Sequence, residues 1–315
     1  MKATKKIGLA LGSGSARGWA HLGVLQALKE WGVPIHYIAG TSIGAFAGAF
    51  YAAGKVEALF DLALSLDWKK AAGFFLEVTF PKSGIIDGKK VSELIRQHFH
   101  ETRIEDLPLP FCAVAVDVLS GERIVLSEGD LTEAIRASIS VPGIFTPVKT
   151  GSHLLVDGGL VDPVPAGLAR SMGADRVIAV DLNCDKLAHK KLEHDLKMQR
   201  DDYTSKIKEK IRDAVNERLE KSDSSLVSGI RDWLGKTEMP SIFEIIGNSI
   251  RIMEKEITTS CLRRQKPDVL ITPHLGEIGF MDFHLSDYII QQGYEAALAQ
   301  KEQILSLSGV LLEDL

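Results

Sequence analysis

The sequence predicts an α/β protein in which a mostly parallel β-sheet is covered by helices on both faces. Short, continuous apolar runs stop at a glycine or a polar residue, as buried strands do. Between them lie helix patterns, with apolar residues three and four positions apart. The 315 residues are 45% hydrophobic and 25% charged, so the chain can bury a sizeable core.

Predicted strands and helices alternate along the first two thirds of the chain. The first strand ends at Gly12, and the helix after it ends at Gly32 and Pro34, residue types that stop a helix. The predicted strands are Ile7–Leu11, Ile35–Ala39, Phe111–Val118, Leu154–Val156, Arg176–Leu182 and Val269–Thr272. The predicted helices run from about Arg17 to Trp31, Gly40 to Gly54, Lys186 to Lys221, Ile242 to Leu262 and Tyr288 to Leu305.

The segment Lys186–Lys221 has a different character from the rest of the chain. It holds eleven Lys and Arg against eight Asp and Glu, in a chain whose net charge is −5. Apolar residues from Leu192 to Leu219, mostly four positions apart, give the predicted helix a continuous stripe. Such a helix lies across the protein body, meets lipid as an interfacial or lid helix, or pairs with another helix. The pattern leaves these three alternatives open.

Charge and cysteine content narrow the class of protein. With 37 basic and 42 acidic residues, the chain has no general footprint for nucleic acid. Cys112, Cys184 and Cys261 lack CxxC spacing, which argues against a zinc site or a disulfide framework and fits a reducing compartment. The apolar run Ile7–Leu11 is too short for a secretory signal, and the uncharged stretch Ile38–Gly54 is too short to span a membrane. We expect a cytoplasmic protein.

A glycine-rich loop joins the first predicted strand to the first predicted helix. Its glycines are Gly12, Gly14 and Gly18, with Ser15 and Arg17 between them. Backbone N–H groups of such a loop, at the start of a helix, can hold a phosphate or the oxyanion of a tetrahedral intermediate. A dinucleotide fingerprint would need a glycine where Arg17 stands, so nucleotide binding is disfavoured.

A second turn carries a candidate nucleophile. The residues Gly40-Thr41-Ser42-Ile43-Gly44 form a G-x-S-x-G pattern between a predicted strand and an Ala-rich helix. A sharp strand-to-helix turn pushes the serine hydroxyl out of the sheet, and the flanking glycines remove side chains that would collide there. A structural serine at the start of a helix is the simpler interpretation, and the strand–turn–helix context disfavours it.

A nucleophilic serine needs a base. His274 and His284 lie late enough in the chain for a Ser–Asp–His order, although neither follows a strand end with turn glycines. Asp157 ends a predicted strand and precedes Gly158 and Gly159, so its carboxylate can approach another loop closely. Two further strand-end aspartates, which lack the glycine pair, are interpreted as turn or capping residues; they are Asp117 and Asp181.

Several motifs in one order make the chain resemble the bacterial patatin-like phospholipases, members of the patatin-like lipid acyl hydrolases. The resemblance covers about Lys6 to Ala169, and the segment Pro267–Tyr294 resembles the C-terminal part of bacterial members. The motifs are the loop ending in Arg17-Gly18, the turn Gly40–Gly44, the segment Val141–Phe145 and the run Asp157-Gly158-Gly159.

The resemblance implies a three-layer patatin-like fold and a Ser–Asp dyad in place of a triad. Ser42 would attack an ester carbonyl, and Asp157 would take its proton with no histidine. The backbone N–H groups of Gly14 and Ser15 would be the oxyanion donors. Arg17 would brace the loop or balance nearby negative charge.

The chain also departs from the family pattern. Ser13 and Ser15 stand where the family commonly has a run of glycines, which puts the geometry of the oxyanion hole in question. The segment Val141–Phe145 would shape the acyl pocket or serve only as a rigid proline turn. The predicted parts are a catalytic core at 6–170, a core strand and loop at 171–185, a charged helical insertion at 186–262, and a C-terminal strand and helix at 263–315 that pack back on the core.

We therefore expect a serine acyl hydrolase that cleaves carboxylic esters of (lyso)phospholipids or related lipids, without a metal or an organic cofactor. The expected partner is a lipid or acyl-ester substrate and not nucleic acid; peripheral contact with the inner face of the membrane and the oligomeric state stay open. One alternative is a soluble thioesterase or small-ester hydrolase. Another is a regulatory patatin-like protein with a vestigial site.

Overall fold

The computed structural model describes residues 5–66, 87–185 and 242–309, which fold as a central β-sheet flanked by helices. The strands are β1 (Ile7–Leu11), β2 (Tyr37–Thr41), β3 (Phe111–Asp117), β4 (Arg123–Leu126), β5 (Val148–Thr150), β6 (His153–Asp157), β7 (Arg176–Val180) and β8 (Val269–Ile271). The α-helices are α1 (Ala20–Glu30), α2 (Ile43–Ala52), α3 (Val56–Ser65), α4 (Lys89–His98), α5 (Leu131–Ser138), α6 (Ala166–Ser171), α7 (Ile242–Gln265), α8 (Ser286–Leu298) and α9 (Lys301–Ser308). Short 3₁₀ helices lie at Ser15–Trp19, Ile104–Asp106, Gly158–Leu160 and Phe283–Leu285.

The sheet has a parallel half and an antiparallel half. Within the described residues its strand order is β5-β6-β3-β2-β1-β7-β8, with β4 paired to β3. The strands from β3 to β8 along this order are parallel to one another. In contrast, β4 and β6 run antiparallel to β3, and β5 runs antiparallel to β6. The predicted α/β class is confirmed, and the sheet is mixed at one side.

Two strands meet end to end along one edge of β3. Strand β2 ends at Thr41, opposite Val114, and β6 arrives from the other direction to end at Asp157, opposite Ala115. Strand β4 pairs with residues 113–116, which overlap both sets of partners, so it lies on the opposite edge of β3. The residue that follows Thr41 is therefore brought next to Asp157.

The two faces of the sheet carry separate cores. Alternate residues of β1 point to opposite sides, as the pleat requires. Ile7, Leu9 and Leu11 pack in the main core with α1, α2, α3 and α8. Ala10 packs in a smaller core with α6. This arrangement gives the three layers of helix, sheet and helix.

Helices α1 and α8 cross at very short range on the main-core face. A Cβ on Gly23 would lie 1.9 Å from the carbonyl oxygen of Ile290, and one on Gly293 would lie 2.0 Å from that of Ala20. Only glycine allows two backbones to come this close. The C-terminal segment is thus packed directly on the first βα unit.

The predicted strands are all present, as β1, β2, β3, β6, β7 and β8. Strand β2 lies two residues later than predicted, because Gly40 and Thr41 continue its pairing with neighbouring strands. The predicted single helix Tyr288–Leu305 is wrong. The chain leaves the helical conformation at Gln300, and the second helix then buries Ile304 and Leu305 in the main core.

Other elements were not predicted, or cannot be compared with the structure. Strands β4 and β5 and helices α3 to α6 have no counterpart among the predicted elements. The predicted helix Lys186–Lys221 and the rest of the insertion up to residue 241 lie outside the described residues. The division of the chain into four parts stays a prediction. In residues 5–66, 87–185 and 242–309, no helix is both long and apolar enough to cross a membrane.

Candidate active site

Ser42 occupies a strained turn between β2 and α2. Its backbone has φ 56° and ψ −124°, a conformation that residues other than glycine rarely adopt. A Cβ on Gly40 would lie 2.5 Å from the Cα atom of Ala45, and a Cβ on Gly44 would lie 2.2 Å from the carbonyl oxygen of Leu11. Both glycines of the G-x-S-x-G pattern are thus required by contacts that would be too close for any side chain.

The turn is held by a residue that the sequence analysis missed. The N–H group of Ser42 donates to Ser138 Oγ at 2.9 Å, and the Ser138 hydroxyl donates to the carbonyl oxygen of Val114 at 2.7 Å. Ser138 is fully buried at the end of α5. It links the candidate nucleophile to β3, the strand on which β2 and β6 meet. Nothing in the sequence around Ser138 indicates this role, which depends on tertiary packing.

The side chains of Ser42 and Asp157 are hydrogen-bonded. Ser42 Oγ donates to Asp157 Oδ2 at 2.5 Å, and Asp157 Oδ1 accepts from the Gly159 N–H group at 2.8 Å. A Cβ on Gly158 would lie 2.4 Å from the carbonyl oxygen of Val114, so this glycine lets the chain pass close to β3. Both carboxylate oxygens of Asp157 are therefore fixed, and one of them faces the serine hydroxyl.

The environment of Asp157 favours proton uptake. The residue is 4% exposed, and burial, together with the charge of Glu254, raises its pKa from 3.8 to about 7. The hydrogen bonds from Ser42 and Gly159 act in the opposite direction and are outweighed. A carboxylate with a pKa near 7 can accept a proton from a serine and release it again at neutral pH.

The glycine-rich loop presents two N–H groups to the same site. The N–H groups of Gly12, Ser13 and Ala16 donate to the carbonyl oxygens of Val180, Pro163 and Phe280, respectively. Within the described residues, the N–H groups of Gly14 and Ser15 donate to no acceptor. Gly14 and Ser15 line the same pocket as Ser42. They are the two residues that the resemblance assigns to an oxyanion hole.

Arg17 lies behind this loop in a buried polar cluster. Its Nε group donates to the carbonyl oxygen of Gly14 at 3.2 Å. Burial, reinforced by the nearby charge of Arg251, lowers the Arg17 pKa to about 9, whereas the carboxylates of Glu254 and Asp181 oppose this shift. The geometry is compatible with both expected roles of Arg17, bracing the loop and balancing negative charge.

Gly12 and Gly18 are needed for packing around the loop. A Cβ on Gly12 would lie 2.6 Å from the carbonyl oxygen of Val180, and a Cβ on Gly18 would lie 2.0 Å from a side-chain carbon of Ile43. A histidine that the sequence analysis missed also supports the loop. His21 Nε2 donates to the Gly12 carbonyl oxygen at 2.8 Å, and burial lowers the pKa of His21 to about 4, so the ring is neutral at pH 7.

The two histidines considered as the base, His274 and His284, do not line the pocket that contains Ser42. His274 has a side chain that is 86% exposed and lies 3.6 Å from Asp185, measured from Nδ1 to Oδ1. His284 lies on the 3₁₀ helix Phe283–Leu285 and does not line the pocket that contains Ser42. The hydroxyl of Ser42 is instead directed to Asp157.

The other strand-end aspartates form turns. Asp117 accepts hydrogen bonds from the N–H groups of Leu119 and Leu154, and its pairing with His153 is the main reason that its pKa falls to about 2. Asp181 accepts from the N–H group of Asn183 at 2.9 Å. Neither aspartate lines the pocket at Ser42.

A pocket lies in front of Ser42, with about 930 Å³ of empty space, part of which is open solvent. Among the described residues that line it, the ionisable side chains are Asp157 and Glu254. The segment that was expected to shape an acyl pocket contributes Val141 and Phe145. Further apolar lining comes from Trp19, Phe46, Leu62, Leu66, Ile250 and Phe280. A serine hydroxyl bonded to a buried carboxylate, an apolar cavity and two N–H groups that have no acceptor among the described residues form an arrangement that can perform acyl transfer.

Residues 9–170 match the family model described as patatin-like phospholipase. The chain belongs to this family. The matched part of the patatin-like chain contains Ser42, Asp157 and the glycine-rich loop, whereas Glu254 lies outside it.

Named relatives match about the same share of the patatin-like chain. An NTE family protein of Mycobacterium tuberculosis (strain H37Rv) is 42% identical over 178 residues, which are 56% of this chain and 49% of that protein. The human patatin-like phospholipase domain-containing protein 6 is 40% identical over 183 residues, 56% of this chain and 13% of that protein. The chain thus spans about half or less of the length of these relatives.

One solved structure, VipD from Legionella pneumophila, aligns with 96% of this chain and 67% of its own. The TM-score is 0.45 and the sequence identity is 14%. This similarity is too low to support a conclusion about fold or function.

Proposed function

We propose that this patatin-like chain is a serine acyl hydrolase that cleaves carboxylic esters of (lyso)phospholipids or related lipids. The reaction proceeds through an acyl-enzyme on Ser42, with Asp157 as the base. The observation that carries the proposal is the 2.5 Å hydrogen bond from Ser42 Oγ to Asp157 Oδ2 at the base of an apolar pocket. Membership of the family supports the reaction class.

The proposed first half-reaction forms the acyl-enzyme. Ser42 Oγ attacks the ester carbonyl carbon while its proton passes to Asp157 Oδ2, and a tetrahedral oxyanion forms. As the intermediate collapses, the C–O bond to the alcohol breaks, and Asp157 returns the proton to the leaving oxygen. In the second half, water attacks the acyl-enzyme, gives a proton to Asp157, and releases the fatty acid as Ser42 regains its proton.

The loop supports the charged intermediate. The N–H groups of Gly14 and Ser15 have no internal acceptor within the described residues, so they are free to bind the oxyanion. Arg17 holds the Gly14 carbonyl oxygen and thereby fixes the orientation of the peptide between Gly14 and Ser15. The N–H group of Ser15 belongs to this peptide, so its direction is set before the substrate arrives.

The pocket supports a lipid as the substrate class. Its lining by aromatic and branched aliphatic side chains suits a hydrocarbon chain, because apolar surface is removed from water when the chain binds. The described lining contains no Lys or Arg that would bind an anionic head group inside the pocket. We therefore assign the pocket to the acyl chain, and the head group to its mouth, at a peripheral contact with a membrane surface.

Labelling by a fluorophosphonate probe, read by peptide mass spectrometry, tests the nucleophile. We expect label on Ser42 in the wild type and none in Ser42→Ala, whose fold is checked by circular dichroism. Turnover of a lysophospholipid should fall at least about a thousandfold in Ser42→Ala and about a hundredfold or more in Asp157→Asn. A folded Ser42→Ala protein that keeps full turnover would overturn the proposal.

Matched histidine variants test the dyad against a triad. His274→Ala and His284→Ala should each keep turnover within about threefold of the wild type, because the Ser42 hydroxyl donates to Asp157 and neither histidine lines the pocket. A small effect of Asp157→Asn together with a large effect at either histidine would favour a conventional triad. Turnover confined to water-soluble esters, with none on lipid vesicles, would favour the small-ester hydrolase.

A further inference from the structure

A second carboxylate, which the sequence analysis missed, lies beside Asp157. Glu254 is on helix α7, is 6% exposed, and lines the pocket with Ser42 and Asp157. A Cβ on Gly159 would lie 2.1 Å from Glu254 Oε1 and 3.1 Å from Asp157 Oδ1. The two carboxylates therefore face each other across the space that Gly159 leaves empty.

Glu254 is held in place by donors from the glycine-rich loop and from the loop after β7. Asn183 Nδ2 donates to Glu254 Oε2 at 3.0 Å, and the Ser13 hydroxyl donates to the same carboxylate. Asn183 Nδ2 also lies 3.1 Å from the Ser13 carbonyl oxygen. Ser13, which departs from the glycine run of the family, is thus a hydrogen-bond donor to Glu254.

The charges around this carboxylate come from three elements. Arg17, on the 3₁₀ helix Ser15–Trp19, favours the ionised form of Glu254, and Asp181 after β7 disfavours it. Arg251, one turn earlier on α7, acts on Arg17. Burial raises the pKa of Glu254, while the hydrogen bonds from Ser13 and Asn183 oppose the rise. Glu254 in turn acts on Asp157 and disfavours the loss of its proton.

We propose that Glu254 is a positioning residue for the reaction at Ser42. The buried negative charge of Glu254 makes Asp157 a stronger base for the Ser42 proton. Glu254 takes no proton from the substrate. The proton moves from Ser42 Oγ to Asp157 Oδ2, and the Glu254 charge stabilises the protonated form of Asp157. Ser13 and Asn183 orient that charge, so the loop that supplies the oxyanion donors also tunes the base. The proposal rests on the proposed function.

The test is a titration of the Asp157 carboxyl group in the full chain, followed by ¹³C NMR and assigned with Asp157→Asn. Glu254→Gln removes the charge with little change in size. We expect the Asp157 pKa to fall by about one pH unit in this variant. Glu256→Gln removes the same charge from an exposed position two residues away on the same helix, and it should leave the titration unchanged.

Ester turnover provides the second measurement. In Glu254→Gln the acidic limb of the pH profile of kcat/KM should move to lower pH, and the plateau should fall about threefold because the base is weaker. Glu254→Asp keeps a negative charge, so both the shift of the acidic limb and the fall of the plateau should be smaller in this variant. If turnover falls in Glu254→Gln but the acidic limb of the pH profile stays at the same pH, Glu254 has only a structural role. This result would overturn the proposal.

Three further outcomes are decisive. If Glu254→Gln does not fold, Ser13→Ala removes one donor to Glu254, and a smaller fall of the Asp157 pKa is expected; an unchanged titration would overturn the proposal. An Asp157 titration that is equal in the wild type and in folded Glu254→Gln overturns it whatever the activity. A wild type without ester turnover would instead overturn the proposed function, while the titration would still measure the coupling of the two carboxylates.

Discussion

The hydroxyl of Ser42 lies 2.5 Å from Asp157 Oδ2, although 115 positions separate the two residues in the chain. The contact follows from the sheet, because β2 and β6 end at adjacent positions on one edge of β3. A parallel strand delivers the serine and an antiparallel strand delivers the aspartate. The mixed character of the sheet is therefore what brings the two side chains together.

The pH dependence of turnover tests the protonation state of Asp157. We expect kcat/KM for a soluble ester to rise with pH through an apparent pKa of about 7, because burial and Glu254 raise the Asp157 pKa from 3.8 to that value. Below this pH the carboxyl group is protonated and cannot accept the Ser42 proton. The measurement is the pH profile between about pH 5 and pH 9, with circular dichroism at each pH as the control for folding. A profile that is flat above pH 5 would mean that Asp157 keeps its ordinary pKa.

The sequence alone was sufficient for the parts that rest on local pattern. Continuous apolar runs marked β1, β3 and β7, which are buried on both faces of the sheet. Short edge strands are harder to predict, because β4 has an apolar run of only three residues, Ile124–Leu126, and its side chains are exposed or half-buried. The turn at Ser42 was predictable since its chemistry lies in five consecutive residues.

The missed residues depend on contacts between distant segments. On α7, Arg251 and Glu254 are buried, whereas Ile252 and Met253 are 55% and 48% exposed. This is the reverse of the usual preference, because the buried face of the helix packs on the polar cluster behind the glycine-rich loop. A pattern of apolar residues cannot reveal such a face. The spacing of an arginine and a glutamate by three residues would have been the only local signal.

Gly44→Ala tests the close approach of α2 to β1. The new Cβ would lie 2.2 Å from the Leu11 carbonyl oxygen, a backbone atom that cannot move without disturbing the sheet. We expect the free energy of unfolding to fall by about 3 kcal/mol, measured by urea denaturation. Gly48→Ala, in the same helix, is the matched control. Its Cβ would meet a side-chain carbon of Ile38 at 2.9 Å, and a side chain can adjust. Equal losses in the two variants would contradict this explanation.

Ser15 raises the question of whether a serine can replace a glycine in the loop. Its φ of 52° is in the left-handed region, which costs a residue with a Cβ about 1 kcal/mol. The Ser15 hydroxyl offsets this cost, because it donates to the Phe280 carbonyl oxygen at 2.6 Å. Ser15→Ala keeps the strain and loses the hydrogen bond, so we expect the free energy of unfolding to fall by about 1 kcal/mol.

Ser15→Gly separates the two effects. It loses the same hydrogen bond but relieves the left-handed strain, so it should be more stable than Ser15→Ala by about 1 kcal/mol. Urea denaturation of the wild type and both variants gives the two differences. If Ser15→Ala were as stable as Ser15→Gly, the backbone at Ser15 would carry no strain. In that case, the hydrogen bond from Ser15 to Phe280 would not be offsetting the cost of a left-handed backbone conformation.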